Sequence, residues 1–295
     1  MAKVFLFMLI GCSASICAEG KSYSLNPSFN DVDAVEFVSV EGERGRTISG
    51  RLSGKNGVQY YIADVCEPEG GEAELVDTYT VKGKKSYFLF TCAWLVQHSG
   101  IGVHGTQYET FVYTQKKPGL IIRQTELSRS LSGYEGRLES GGRSHFWYSK
   151  RKIASAKILE LEAGKLIDSI TLALSVVRDR LSDADVDAIK AYLSSERIQQ
   201  LLVDFPVGRS TVVAYNDIGY ALAFAGEEVE AYKIFKRVED VAPGRVVLKL
   251  NIADVLWSSD RERSTVYYKQ YVSLMREAGK EKLIPLRVID RINSN

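Results

Sequence analysis

The sequence predicts an α+β protein of two domains, an antiparallel β sheet or sandwich followed by an α-helical stack. Three observations predict it. Between about 34 and 127, turn residues recur roughly every eight to twelve positions, and the runs between them are rich in β-branched and aromatic residues. From Lys165 the apolar spacing changes to that of amphipathic helices. Between these regions, residues 128–145 are crowded with serine and glycine and read as loop and boundary. The expected domains are 19–145 for the β part, with about 161 as an alternative end, and 165–295 for the helical part.

An export signal is expected at residues 1–18. Lys3 precedes an apolar run at 4–10 (VFLFMLI) and then small residues, too short a stretch to span a bilayer. Cleavage after Ala18 leaves Ile16 at −3, a mediocre fit. Leu9-Ile10-Gly11-Cys12 also resembles a bacterial lipobox, which gives a lipid anchor at Cys12 as the alternative to a periplasmic or secreted protein. No other run of about eighteen apolar residues occurs.

Residues 19–30 read as a flexible leader. Strands are expected at 34–40 (AVEFVSV), 46–52 and 58–65 (VQYYIADV), with Lys55-Asn56-Gly57 as a hairpin turn. Further strands follow at 72–82, 86–97, 106–114 and 120–127. Residues 86–97 (SYFLFTCAWLVQ) are apolar on both faces and belong at the sheet's centre. Residues 144–161 are ambiguous. Phe146-Trp147-Tyr148 and 157–161 read as a last strand pair in preference to a helix.

Of four cysteines, Cys12 and Cys17 fall in the signal. Cys66 and Cys92 remain, an even pair in a chain sent to an oxidising compartment, and a disulfide is expected. Lys and Arg total 38 against 37 Asp and Glu; without Lys3 the charges balance. Such a chain gives no electrostatic case for nucleic acid or for an anionic membrane surface.

The helices begin with Leu166, Ile167, Ile170, Leu174 and Val177 on one face. Ser182 to Asp185 open a second helix and Ser195-Glu196 a third, which Asp204-Phe205-Pro206 ends. Tyr215, Ile218, Gly219 and Leu222 then share a helix. Gly226 turns the chain, Ala231, Phe235 and Val238 share the next helix, and Pro243 stops it. Residues 212–243 resemble a tetratricopeptide repeat, with Gly219 and Ala231 as the small residues where two helices cross. Ile252, Ala253 and Leu256 repeat the spacing of Ile218, Gly219 and Leu222. Ser264, Tyr268 and Tyr271 fit the second helix one residue early. Gly279 serves as C-cap, and 284–292 reads as a capping helix with Pro285 in its first turn. The resemblance spans about 212–278. It implies a protein or peptide partner held by the first helix of each repeat, with Asn216, Tyr220, Asn251 and Asp254 facing it.

Catalytic chemistry is poorly signalled. Gly100-Ile101-Gly102-Val103-His104-Gly105 fits G-x-G-x-x-G, but a strand follows where a dinucleotide site needs a helix. No zinc or calcium spacing, serine-hydrolase elbow or cofactor motif occurs, so no catalytic residue, metal ligand or cofactor is assigned. The acidic group Glu67, Glu69, Glu72, Glu74 and Asp77 reads as a solvated face. The leading expectation is an exported scaffold or adaptor that binds proteins. The alternatives are an enzyme of the cell envelope with a site near His98, His104 and Glu109, and an immunity or inhibitor protein.

Overall fold

The computed structural model describes residues 19–43, 45–54, 57–118 and 120–294. The expected export signal, with Cys12, Cys17 and Ala18, and the Lys55-Asn56 part of the hairpin turn lie outside the described residues. The chain divides into two compact units between Phe146 and Trp147.

In the first unit, strand-forming residues build two antiparallel sheets. One is a meander of β1 (Glu19–Phe29), β2 (Val32–Gly42), β3 (Gly45–Gly54) and β4 (Gln59–Cys66), each beside the next. The other contains β5 (Glu74–Lys82), β6 (Ser86–His98), β7 (Val103–Lys117), β8 (Leu120–Arg123), β9 (Gly133–Arg137) and β10 (Arg143–Ser144). Its order is β10-β9-β7-β6-β5, with β8 also on β7.

The inward side chains of both sheets form one core, as in a sandwich. Phe37 of the first sheet meets Phe90 of the second at 5.4 Å, and Phe29 meets Phe88 at 5.9 Å. As expected, β6 lies inside its sheet, with Phe88, Leu89 and Phe90 fully buried. Cys66 ends β4 and Cys92 sits in β6, and the two are disulfide-bonded with Cα atoms 5.5 Å apart. The bond therefore clamps one sheet to the other.

Several expectations need correction. The leader at 19–30 is β1, whose Leu25 and Phe29 enter the core. Its outer face is Gly20, Ser22 and Ser24, and Lys21 takes an inner-face position opposite Phe37, so the strand carries too few apolar residues to stand out. The strand expected at 120–127 stops at Arg123, and a short helix α1 (Thr125–Ser130) follows. The loop expected at 128–145 contains β9 and β10, short strands of mostly small and polar residues, β9 held by β7 and β10 by β9. The strand pair expected within 144–161 is instead a helix, α2 (Arg151–Glu162). Its buried face is Ile153, Ala154, Lys157 and Ile158. A lysine on the inner face hid the helical period.

The second unit is helical throughout: α2, α3 (Ile170–Ser182), α4 (Val186–Tyr192), α5 (Ser195–Asp204), α6 (Val212–Phe224), α7 (Glu228–Val241), α8 (Val246–Leu256), α9 (Arg261–Glu277) and α10 (Leu286–Asn293). Helix α3 starts later than the apolar spacing predicted. Ser169 caps it by accepting from the Leu172 amide, and Leu166 and Ile167 lie outside it, exposed. Asp185 caps α4 in the same way, through the Ala188 amide.

Helices α6 and α8 begin at Val212 and Val246, and each pairs with the helix after it, α7 or α9. The two hairpins thus recur with the 34-residue period of tetratricopeptide-like units. Their contacts explain the small residues. A Cβ at Gly219 would lie 2.5 Å from the Phe235 ring, and Ala231 is fully buried. Gly226 and Gly279 have φ of 82° and 66°, the left-handed conformation a helix end needs and other residues resist. The capping helix is present as α10, with Pro285 immediately before it. Among the described residues, no helix is long and apolar enough to cross a membrane.

Candidate functional site

The first helices of successive hairpins are laced by polar contacts. Arg178 of α3 pairs with Asp217 of α6. The Asn251 side-chain amide on α8 donates to the Asn216 carbonyl oxygen on α6 at 3.3 Å. Asp254 of α8 accepts from Tyr268 at 2.6 Å and from Arg287 and Arg291 of α10, each at 2.8 Å. Burial, followed by the bond to Asp254, pushes the Tyr268 hydroxyl up to about 12. The Arg291 guanidinium also lies 4.9 Å from the Trp257 ring, fastening α10 to the stack.

The four residues placed by the repeat resemblance therefore have different surroundings. Asn216 and Asn251 are only 3% and 8% exposed and bond to one another, so their amides hold α6 against α8. Asp254 is engaged by α10. Tyr220 is 51% exposed. Tyr220, Asn251 and Asp254 come together on a hollow of about 140 Å³, which Glu228 and Phe235 help to line; Asn216 sits behind it. Phe224, one turn along from Tyr220, is also exposed. The sequence signalled this pair only as two aromatics spaced by four. The part of Arg287 and Arg291 was missed, because salt bridges between elements leave no mark in local spacing.

In the β unit, His98, His104 and Glu109 are not brought together. The β6–β7 register sets His98 opposite Val103 and Glu109 opposite Cys92. His98 and Glu109 are thus six positions apart along the ladder, about 20 Å at strand rise. His104 and Glu109 are an odd number of residues apart on one regular strand, so they point to opposite faces. An enzyme site built from these three residues fails on this geometry.

Glu109 has other partners. Arg123 of β8 donates to it at 3.3 Å and to Asp64 of β4 at 2.7 Å, and Tyr113 donates to Asp64. Burial raises the Glu109 carboxyl above the usual range, and Arg123 only partly offsets this. Nothing in the local spacing hints at the cluster, because its members come from three strands.

No family model matches the chain, and no curated protein matches it. Among solved structures, the chain is similar to the crystal structure of MamA. The two are 13% identical, with 51% of this chain and 92% of that chain covered and a TM-score of 0.34. A likeness that slight carries no argument about the β unit or about function. The helical repeat rests on the hairpins themselves.

Proposed function

We propose that the protein is an exported adaptor that holds a protein or peptide partner against the first helices of its repeats. The observation that carries this reading is the exposed pair Tyr220 and Phe224 beside the hollow lined by Asn251, Asp254 and Glu228. Aromatic side chains offer large contact area at low entropic cost, and anchors of this kind dominate protein interfaces. The buried Asn216–Asn251 pair supports the reading by fixing the wall of the hollow in advance, so little order is lost on binding. Export is supported by the Cys66–Cys92 bond, since disulfides persist in oxidising compartments.

A photo-crosslinking amino acid at Tyr220, with Val229 on the second helix as control, tests the site in the native compartment. Adducts to one or more proteins are expected from position 220 and not from 229. No adduct at 220, or the same adducts at both, overturns the reading. A single adduct that still forms when the protein is diluted before irradiation would point to the immunity or inhibitor class. Mass spectrometry of the mature N-terminus separates cleavage after Ala18 from lipidation at Cys12.

A further inference from the structure

The β unit closes open backbone edges with contacts from elsewhere in its fold. On one edge of β7, β8 pairs with residues 113–117 and β9 with residues 104–108, and helix α1 fills the gap between them. The Ser128 and Ser132 hydroxyls accept from the amides of Val112 and Thr110, and the Gln124 amide donates to the Val112 carbonyl. A hollow of about 360 Å³ beside this gap is lined by Glu109 and Arg123, which pair with one another. On β4, an end strand of the first sheet, the Asp64 amide donates to the Tyr113 hydroxyl at 3.2 Å. Near the end of β1, the Thr80 hydroxyl of β5 donates to the Pro27 carbonyl, and Pro27 itself has no amide hydrogen to leave bare.

The first half of β1 differs. This strand is the other end of the first sheet. Among the described residues, the backbone of 20–24 has no hydrogen bond outside its ladder with β2. An unpaired strand edge is a template for another strand. The end strand of the second sheet, β5, meets β1 at Thr80 and Pro27, and a hollow of about 560 Å³ opens between their first halves. Its floor is apolar. Phe37, Ile48 and Ala73 are buried in it, whereas Tyr23 and Leu75 are only half-buried. Its rim carries Lys21 and Arg46 on the first sheet and Glu74 at the start of β5. Arg46 pairs with Glu41 at 3.0 Å. Lys21 is exposed, its ammonium lies 5.5 Å from the centre of the Tyr23 ring, and no carboxylate pairs with it among the described residues.

We propose that the edge at 20–24 takes an extended segment of a partner protein, added to β1 as a further strand. Backbone hydrogen bonds along the edge supply the attraction, and alternate side chains select the partner. A strand added to β1 continues its pleat, so its inward side chains stand beside Lys21 and Tyr23 and enter the hollow. Its outward side chains stand beside Gly20, Ser22 and Ser24 and stay in water. The segment that fits therefore alternates apolar and polar residues. It sets an apolar side chain over Tyr23 and Leu75 and an acidic one beside Lys21. The half-buried Tyr23 and Leu75 gain cover, and Lys21 gains a counter-charge. This edge belongs to the β unit and is independent of the helical hollow, so either surface can fail alone.

A phage-displayed library of random dodecapeptides, selected on the full chain, supplies the probes. Enriched peptides are synthesised and titrated, and amide hydrogen exchange in the complex is read by mass spectrometry. Alternating sequences with an acidic residue are expected, and they should slow exchange within 20–24 about tenfold or more. Methylating alternate backbone amides of such a peptide should abolish binding for one set and spare the other, because a strand turns its amides to its two sides in turn. Lys21→Glu should weaken binding about tenfold with an unchanged urea midpoint, and Tyr220→Ala should leave binding as it was. A selection that enriches nothing overturns the proposal. So does slowed exchange only outside 20–24, or a peptide that binds equally with either set methylated. Slowed exchange at 20–24 in the free chain that grows with its concentration, alongside a doubled mass in analytical ultracentrifugation, assigns the edge to a second copy and overturns the proposal too.

Discussion

Two carboxylate clusters, one in each unit, use the same side-chain types to opposite ends. In the helical unit, Asp168 is 3% exposed and accepts from Lys157 at 2.7 Å, Tyr192 at 2.8 Å, Tyr148 at 3.0 Å and Arg197 at 3.3 Å. Lys157 also donates to the Leu166 carbonyl, which ties the segment before α3 to α2. This cluster is closed and its hydrogen bonds are met. In the β unit, Glu109 has one cation, Arg123, whose Nε is buried without a hydrogen-bond partner among the described residues. That cluster opens onto a hollow. A carboxylate that is enclosed and fully bonded organises a core, whereas one left half-bonded at a cavity meets solvent.

The contrast is broken most directly by removing each carboxylate. Asp168→Ala strands a buried lysine and two tyrosine hydroxyls, and should destabilise the helical unit by about 3–5 kcal/mol. Urea unfolding followed by far-ultraviolet circular dichroism reads the loss as a fall in midpoint at constant slope. Glu109→Gln leaves Arg123 paired with Asp64 and should cost under about 1 kcal/mol by the same measurement. Equal losses in the two variants would erase the distinction between the clusters.

Two further variants gauge the frames that hold them. Replacing Cys66 and Cys92 by alanine should cost the β unit about 3 kcal/mol, because their 26-residue separation no longer restricts the unfolded chain. Calorimetry of the double variant against wild type checks this. Gly219→Ala should cost about 1–3 kcal/mol by forcing the Phe235 ring to move, again read from the urea midpoint.

The pH dependence sharpens the comparison with the smallest effects. Burial alone would raise Asp168, but bonds from Lys157 and Tyr192 outweigh it and hold the carboxyl below its ordinary value. A lowered carboxyl contributes stability that is full above the ordinary value of about 3.9 and is lost as pH falls through the folded value. Asp168→Asn should therefore lose the steepest part of the acid limb. Glu109 is shifted the other way, so its contribution opposes folding as pH rises from the ordinary glutamate value through the raised one. Glu109→Gln should gain on wild type over that interval, measured as the difference between the two urea midpoints.

The helical repeat was legible because its determinants are local. Gly219, Ala231 and Phe235 stand at the spacing of two crossing helices, and Gly226 and Gly279 mark left-handed backbone positions that other residues resist. The closed cluster was not legible. Lys157 falls in an expected strand and Asp168 within the expected first helix, and nothing in either stretch marks the residue as buried until α2 and α3 are packed together. In the β unit, β1 was missed because a strand with one polar face needs a partner sheet before its few apolar residues count as core.

The sequence by itself determined the order of the two structural classes, the cysteine pair and the 34-residue helical period, since each follows from chemistry within a short window. Only the tertiary structure decided which carboxylates are enclosed and which open onto a hollow. It also decided that Asn216 bonds to Asn251 and that Glu109 meets Arg123 instead of a histidine. Those outcomes depend on strand register and helix packing, and both are set by contacts between residues far apart in the chain.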